Sequence, residues 1–203
     1  STLSYLPDAG YMGQATIPVT YITAAGIETT GVIKISVSTK TDSAQFKDVT
    51  RSNVGTWAAD AVDFAYHFGL VSGVSKTEFA PNSPMTRAQL VTVLYRAAGS
   101  SSVTVSTNFE DLDVGSYYYS AVVWANVNGI VNGTSDTTFS PDSRLTRQQL
   151  AAILYRYARA FGGDTSYIGN LSHFTDRHQV DSYATTPMFW AVSHEIISGT
   201  SDT

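Results

Sequence analysis

Apolar residues recur along this chain with two different periods, and the change of period divides it. Residues 15–22 (Ala-Thr-Ile-Pro-Val-Thr-Tyr-Ile) and 31–37 (Gly-Val-Ile-Lys-Ile-Ser-Val) are short β-type runs. In the second run Ile33, Ile35 and Val37 alternate with Val32, Lys34 and Ser36, the period of a strand. Ala24-Ala25-Gly26 lies between the runs as a turn. The pattern predicts a β-hairpin, the last two strands of a sandwich module whose start is absent. A lone hairpin is marginal in water, so it must pack on the helices, pair with something else, or flop. From Trp57 the period becomes helical. Trp57, Ala61, Phe64, Ala65 and Phe68 fall at i, i+4, i+7, i+8 and i+11, one apolar stripe. Gly69 follows where a left-handed C-cap belongs. A second helix opens at Thr86-Arg87-Ala88-Gln89, the capping-box pattern with Thr at N-cap and Gln at N3. Between the helices runs a loop rich in turn residues.

This helix–loop–helix unit repeats. Residues 57–98 and 117–158 align without a gap at an offset of 60, with 19 identities in 42 positions. Such a match marks a duplication. The second copy carries Gly129, the capping box Thr146-Arg147-Gln148-Gln149, and a stripe of Leu150, Ile153, Leu154, Tyr157, Ala158 and Phe161. A third copy follows at an offset of 66, from Tyr183 through Trp190 and Gly199 to Thr203, and lacks the second helix. Truncation is the simplest account of it. Each copy is preceded by Phe-x-Asp: Phe46 to Asp48, Phe109 to Asp111 and Phe174 to Asp176. The predicted layout is a β segment (1–40), a linker (41–45), copy one (46–99), a linker (100–108), copy two (109–163), a linker (164–173) and a truncated copy three (174–203).

Composition narrows the partners. The 203 residues hold 12 Lys and Arg against 17 Asp and Glu, a net charge of −5, which argues against a nucleic-acid or anionic-membrane binder. The longest apolar runs fall short of the roughly 20 residues of a membrane helix. No segment reads as a signal peptide, so the chain is cytosolic, already processed, or a fragment. With no cysteine there are no disulfides, thiol nucleophiles or thiolate metal sites. Only 14% of residues are charged, and Tyr, Phe, Ser and Thr abound, which suits neutral polar partners such as sugars. His173, Asp176 and His178 lack regular ligand spacing, and Glu110-Asp111-Leu112-Asp113 lacks the glycine-bearing loop of an EF-hand. No metal or cofactor is expected. No nucleophile elbow, Walker loop or dinucleotide fingerprint occurs, so no catalytic residue is expected and the chain does not read as an enzyme.

The repeats resemble S-layer homology (SLH) domains. The likeness rests on Phe-x-Asp, the aromatic-led first helix, Gly-[Leu/Ile]-Val-x-Gly, Phe-x-Pro and Thr-Arg-x-Gln-Leu. Gln89 and Gln149 stand where the family's Thr-Arg-Ala-Glu hallmark has Glu. It covers about residues 44–203. The first 40 residues look like the tail of an Ig-like or cadherin-like extracellular repeat. The resemblance implies a mainly α fold, a pseudo-threefold bundle of helix–loop–helix repeats with a short N-terminal hairpin. It also implies grooves between neighbouring repeats that bind a secondary cell-wall polysaccharide through a pyruvylated N-acetylmannosamine. The chain would then be extracellular, in the bacterial wall or S-layer, as a non-catalytic anchor. The alternative is an S-layer or filament assembly module acting through protein contacts, self-assembly included.

The residues themselves leave choices open. Arg87 and Arg147 stand at N1, where the helix dipole disfavours a cation. Either each joins the first-turn amides in holding a carboxylate, or it pairs with Asp48 or Asp111 and tethers the helix. Trp57, Tyr117 and Tyr183 share one register at the start of helix one and either face a sugar ring or fill the core. Trp124 and Trp190, aligned with Phe64, are expected in the core, as are Phe46, Phe109 and Phe174. Gly73, Gly133 and Gly199 mark the loop apex, for a turn or for close approach of a ligand. Ser75, Ser135 and Ser201 follow as sugar donors or loop caps. Asp48, Asp111 and Asp176 are expected as caps and partners of the arginines. Tyr95-Arg96 and Tyr155-Arg156 on helix two read as packing plus a solvated charge.

Overall fold

The computed structural model describes residues 13–22, 28–37, 45–167 and 170–199. The Ala24-Ala25-Gly26 turn, the 41–44 stretch of the first linker and Thr200 to Thr203, Ser201 included, lie outside them. The protein is mainly helical. Two units emerge, residues 1–68 with 73–79, and residues 69–72 with 80–203.

In the first unit, β1 (Gly13–Ile22) and β2 (Glu28–Val37) pair antiparallel, with Gly13 opposite Val37 and Ile22 opposite Glu28. A four-residue helix α1 (Arg51–Val54) leads into α2 (Thr56–His67). Phe46, Val49, Ala59 and Val62 form a small buried cluster, with Tyr66 and Phe79 packed against it. The Tyr66 ring meets Phe46 edge-on at 5.1 Å between centroids, a favoured aromatic geometry.

The predicted stripe of α2 is not what this helix buries. Trp57 is 80% exposed and Phe64 60%, with Phe68 and Ala61 exposed as well. The buried residues are Ala59 and Val62, on a different face. Nothing described within this unit covers the stripe.

The second unit holds α3 (Arg87–Ala97), α4 (Tyr119–Val127), α5 (Arg147–Ala160) and α6 (Thr185–Ser193). Both expected capping boxes form. Gln89 N donates to Thr86 Oγ1 at 3.2 Å and Thr86 N to Gln89 Oε1 at 2.8 Å; α5 repeats this with Thr146 and Gln149. Gly129 closes α4 at φ +67, the left-handed conformation that glycine adopts at least cost. Pro187 sits in the first turn of α6, where its missing N–H costs no helical bond.

The helices pair across the repeat boundary: α3 packs on α4, and α5 on α6. The second helix of one copy therefore covers the first helix of the next. Trp124 and Trp190, the counterparts of Phe64, are 4% and 5% exposed as a result. Trp124 lies against Tyr95 of α3 and stacks on Phe161, while Trp190 meets Tyr155 of α5 edge-on at 5.6 Å. Leu90, Val91, Leu94, Phe109, Val122, Trp124, Ile130 and Phe139 belong to one core cluster. Phe46 and Phe109 are the expected core anchors, but Phe174 is only half-buried.

Candidate functional site

A cavity of about 350 Å³ opens in the second unit, and four separate stretches of chain supply its walls. Arg87 comes from the start of α3 and the backbone run 131–134 from the loop of copy two. Gln149, Ala152, Ile153 and Arg156 come from one face of α5, and Tyr183 from a short 3-10 helix (Ser182–Ala184) ahead of α6. Positions 149, 152, 153 and 156 are spaced i, i+3, i+4 and i+7, so the helix itself aligns them. No carboxylate is among these lining residues.

Arg87 is only 6% exposed. Its Nε donates to Phe139 O at 2.8 Å, and its guanidinium carbon sits 4.7 Å from the Phe139 ring centroid. That cation–π contact steadies the group without neutralising it. Burial pulls the Arg87 pKa down; Tyr183 and Asp111 oppose the effect and Arg156 adds to it. The Arg156 pKa is lowered too, by burial first and Arg159 second. A guanidinium stays protonated through such shifts. The net lowering means that loss of water outweighs the opposing effects of Tyr183 and Asp111 on Arg87, and of Tyr183 on Arg156. Tyr183 is displaced the other way, up, by burial and then by Asp181, so its phenol is a neutral donor.

Among the described residues, no ion pair joins Arg87 to Asp111 or Arg147 to Asp176. Asp111 accepts from Phe139 N at 2.8 Å and Ser140 N at 2.7 Å, holding the Phe-x-Pro turn. Asp48 accepts from Phe79 N at 2.9 Å in the corresponding turn. Arg87 and Asp111 thus grip the carbonyl and the amide of one residue, Phe139. The amides at the start of α3 are not open to an anion either. Arg87 N donates to Ser143 O and Ala88 N to Pro141 O, both at 3.0 Å. Any anion is met by side chains, not by that helix end.

The remaining candidates divide. A second cavity of about 440 Å³ brings Arg147 together with Asp176 and Gly199, and there Arg147 Nη2 donates to Ser198 O. Tyr117 is exposed and meets Tyr118 edge-on, outside the first cavity. Trp57 stands on the exposed face of α2. Gly73 and Gly133 make room for protein. A Cβ on Gly133, at φ +79, would stand 2.5 Å from Ser135 O and 2.6 Å from the Phe109 ring, and one on Gly73 would strike Phe46 and Glu78 O. Ser75 Oγ and Ser135 Oγ accept from Thr77 N and Thr137 N, so both hydroxyls cap the loop. Arg156, expected as a solvated charge, and Gln149, expected only as a cap, both line the cavity. The available signal was their spacing of seven on α5, repeated by Gln89 and Arg96 in copy one.

The S-layer homology domain family matches residues 45–91 and 109–151, the first two copies. The chain is 27% identical over 175 residues to the surface-layer 125 kDa protein of Lysinibacillus sphaericus, covering 86% of this chain and 14% of that protein. It is 25% identical over 163 residues to an endoglucanase of a Bacillus species (strain KSM-635), covering 80% and 17%. A cellulosome-anchoring protein of Acetivibrio thermocellus is 27% identical over 122 residues, 58% of this chain and 26% of its own. The chain thus spans a small part of the curated relatives it matches. The family match and these surface-layer and anchoring relatives make the chain extracellular and associated with the cell wall. No helix among the described residues is long and apolar enough to cross a membrane.

Proposed function

We propose that this chain is a non-catalytic wall anchor that binds an acidic secondary cell-wall polysaccharide, pyruvylated on N-acetylmannosamine, in grooves between SLH repeats. One observation carries the reading. Arg87 and Arg156 reach the same cavity beside Tyr183, and none of its lining side chains is acidic. Two half-desolvated guanidiniums with no carboxylate among the lining residues favour an anion from outside. A ketal carboxylate supplies it, the Tyr183 ring suits the apolar side of a sugar, and Asn132 and Thr134 offer hydrogen bonds to hydroxyls. The cavity with Arg147 and Gly199 is the corresponding groove one copy on. The pseudo-threefold arrangement belongs to this proposal. Its support in residues 80–199 is the pairing of each second helix with the next first helix. Residues 174–203 are read as the first half of a third copy, and residues 1–40 as the end of an extracellular β module.

Removing an arginine from a desolvated charge pair costs about 2–5 kcal/mol of binding. Arg87→Ala with Arg147→Ala should abolish pelleting with purified walls while the circular-dichroism spectrum stays helical. Walls stripped of their pyruvate ketals should fail to pellet the unaltered chain. Normal pelleting by the double variant would remove the arginines from the site. A second reading, assembly through protein contacts, is favoured by the exposed Trp57 and Phe64 of α2 and the Phe68 that follows it.

A further inference from the structure

One side chain of α4 is tied to the loop that walls the Arg87 cavity. Asn126 Nδ2 donates to Val131 O at 3.1 Å, and Asn126 Oδ1 accepts from Thr107 Oγ1 at 3.2 Å. A carbonyl oxygen only accepts, so the amide nitrogen must be the atom that faces Val131. Val131 N donates to Ala125 O at 3.3 Å, and Thr134 N to Thr138 O at 2.7 Å. Residues 132 and 133 therefore span two fixed ends. Among the described residues no hydrogen bond takes the N–H of Asn132 or of Gly133. A trans peptide sends its C=O and its N–H in opposite directions. Val131 O and Asn132 N–H belong to one such peptide. With the oxygen drawn to α4, the N–H points away from α4, on a stretch that lines the cavity. Were this peptide turned over, its oxygen would be bared in place of the N–H. Acetamido and ketal oxygens of a saccharide only accept, so a bared carbonyl offers them nothing. The clamp is particular to copy two. At the offsets of 60 and 66 stand Tyr66, which packs on Phe46, and Val192, which has no donor. Val192 also shows that the helical position itself does not require an amide.

We infer that Asn126 is a positioning residue of this groove: it orients the peptide between Val131 and Asn132 so that an N–H, and not a C=O, is left for an acceptor oxygen of the saccharide. The inference rests on the polysaccharide-binding reading of the same groove.

The test uses the whole chain and purified wall polysaccharide, at a temperature well below melting. Asn126→Val should bind about fivefold more weakly, the order expected for one hydrogen bond misplaced. Thr107→Val is the stability control. It breaks the bonds to Asn126 Oδ1 and from Phe109 N but leaves Val131 O held. It should melt lower than the unaltered chain and bind normally. Titrating the unaltered chain with polysaccharide should shift the amide resonance of Asn132, and Asn126→Val should lack that shift. If Asn126→Val does not fold, the Asn132 resonance of the unaltered chain decides alone. Normal binding by Asn126→Val, or an Asn132 amide that bound polysaccharide leaves unmoved, overturns the inference and leaves the function intact. So does a loss in Thr107→Val as large as that in Asn126→Val, which would make Asn126 a fold-stabilising residue only. An unaltered chain that binds no wall polysaccharide overturns the function and the inference together.

Discussion

Under the proposed function, Arg87 would serve packing and recognition together. Its Nε and its stacking on Phe139 fix the guanidinium, so little rotamer freedom is left to lose when an anion arrives. Arginine and not lysine suits this place, because only a planar group lies on a ring, bonds a carbonyl and still presents further N–H groups. Beside it, Tyr183 matters through its protonation. Burial and Asp181 raise its pKa, so its phenol stays neutral up to and past the ordinary tyrosine value of about 10. The sign follows directly. Below that value the cavity holds two cations and no tyrosinate, and above it a negative charge joins the wall and opposes an anionic ligand. Wall binding should therefore be flat from about pH 6 to 9 and weaken only above about pH 10. Tyr183→Phe should lose that alkaline limb, which titration of bound polymer against pH would read. A limb that Tyr183→Phe retains would assign it to another group.

At the scale of the element, the same helix has different surroundings in different copies. Trp124 and Phe64 occupy one repeat position, yet one is a core residue and the other is exposed. Trp124→Ala should cost about 3–5 kcal/mol, the usual loss for a buried large aromatic, while Phe64→Ala should leave denaturant stability nearly unchanged. Light scattering of the same Phe64 variant separates the two functional readings. If α2 mediates assembly, the unaltered chain is concentration-dependent in mass and the variant is not. A monomer at every concentration sets assembly aside. The contrast also marks where sequence stops being legible. Capping boxes and the Gly129 C-cap were readable because their partners lie within four residues. Burial of the apolar stripe was not, because it depends on whether a second helix from the preceding copy lies over it. The α3 amides looked open for the same reason: their acceptors, Ser143 O and Pro141 O, sit more than fifty residues away. Arg156 passed as a solvated charge since its helix has apolar residues on several faces, and only the fold shows which face meets the groove.

For the larger unit, the groove is lined from the start of α3, the 131–134 loop, α5 and the turn ahead of α6, so its integrity depends on contacts far from its lining residues. Tyr183 is carried on the short turn that feeds α6, and α6 is held to α5 by Trp190. The indole Nε1 donates to Asp164 O at 2.9 Å and the ring packs on Tyr155, while Gln148 on α5 exchanges hydrogen bonds with Asp181 just before Tyr183. Trp190→Ala removes the larger part of that attachment, about 3–5 kcal/mol. The core around Trp124 is a separate cluster and should survive it. The expected outcome is a chain that keeps most of its helical signal and retains Arg87, Gln149 and Arg156, yet pellets poorly with walls because one side of the groove is no longer held. Arg87→Ala should show the converse, weak pelleting from a fully folded chain. Melting curves paired with pelleting at several temperatures distinguish the two. In Trp190→Ala, binding should fall along the first melting transition and recover on cooling. Full binding above that transition would mean that the third copy contributes nothing to the groove, and that the anion is held by Arg87 and α5 alone.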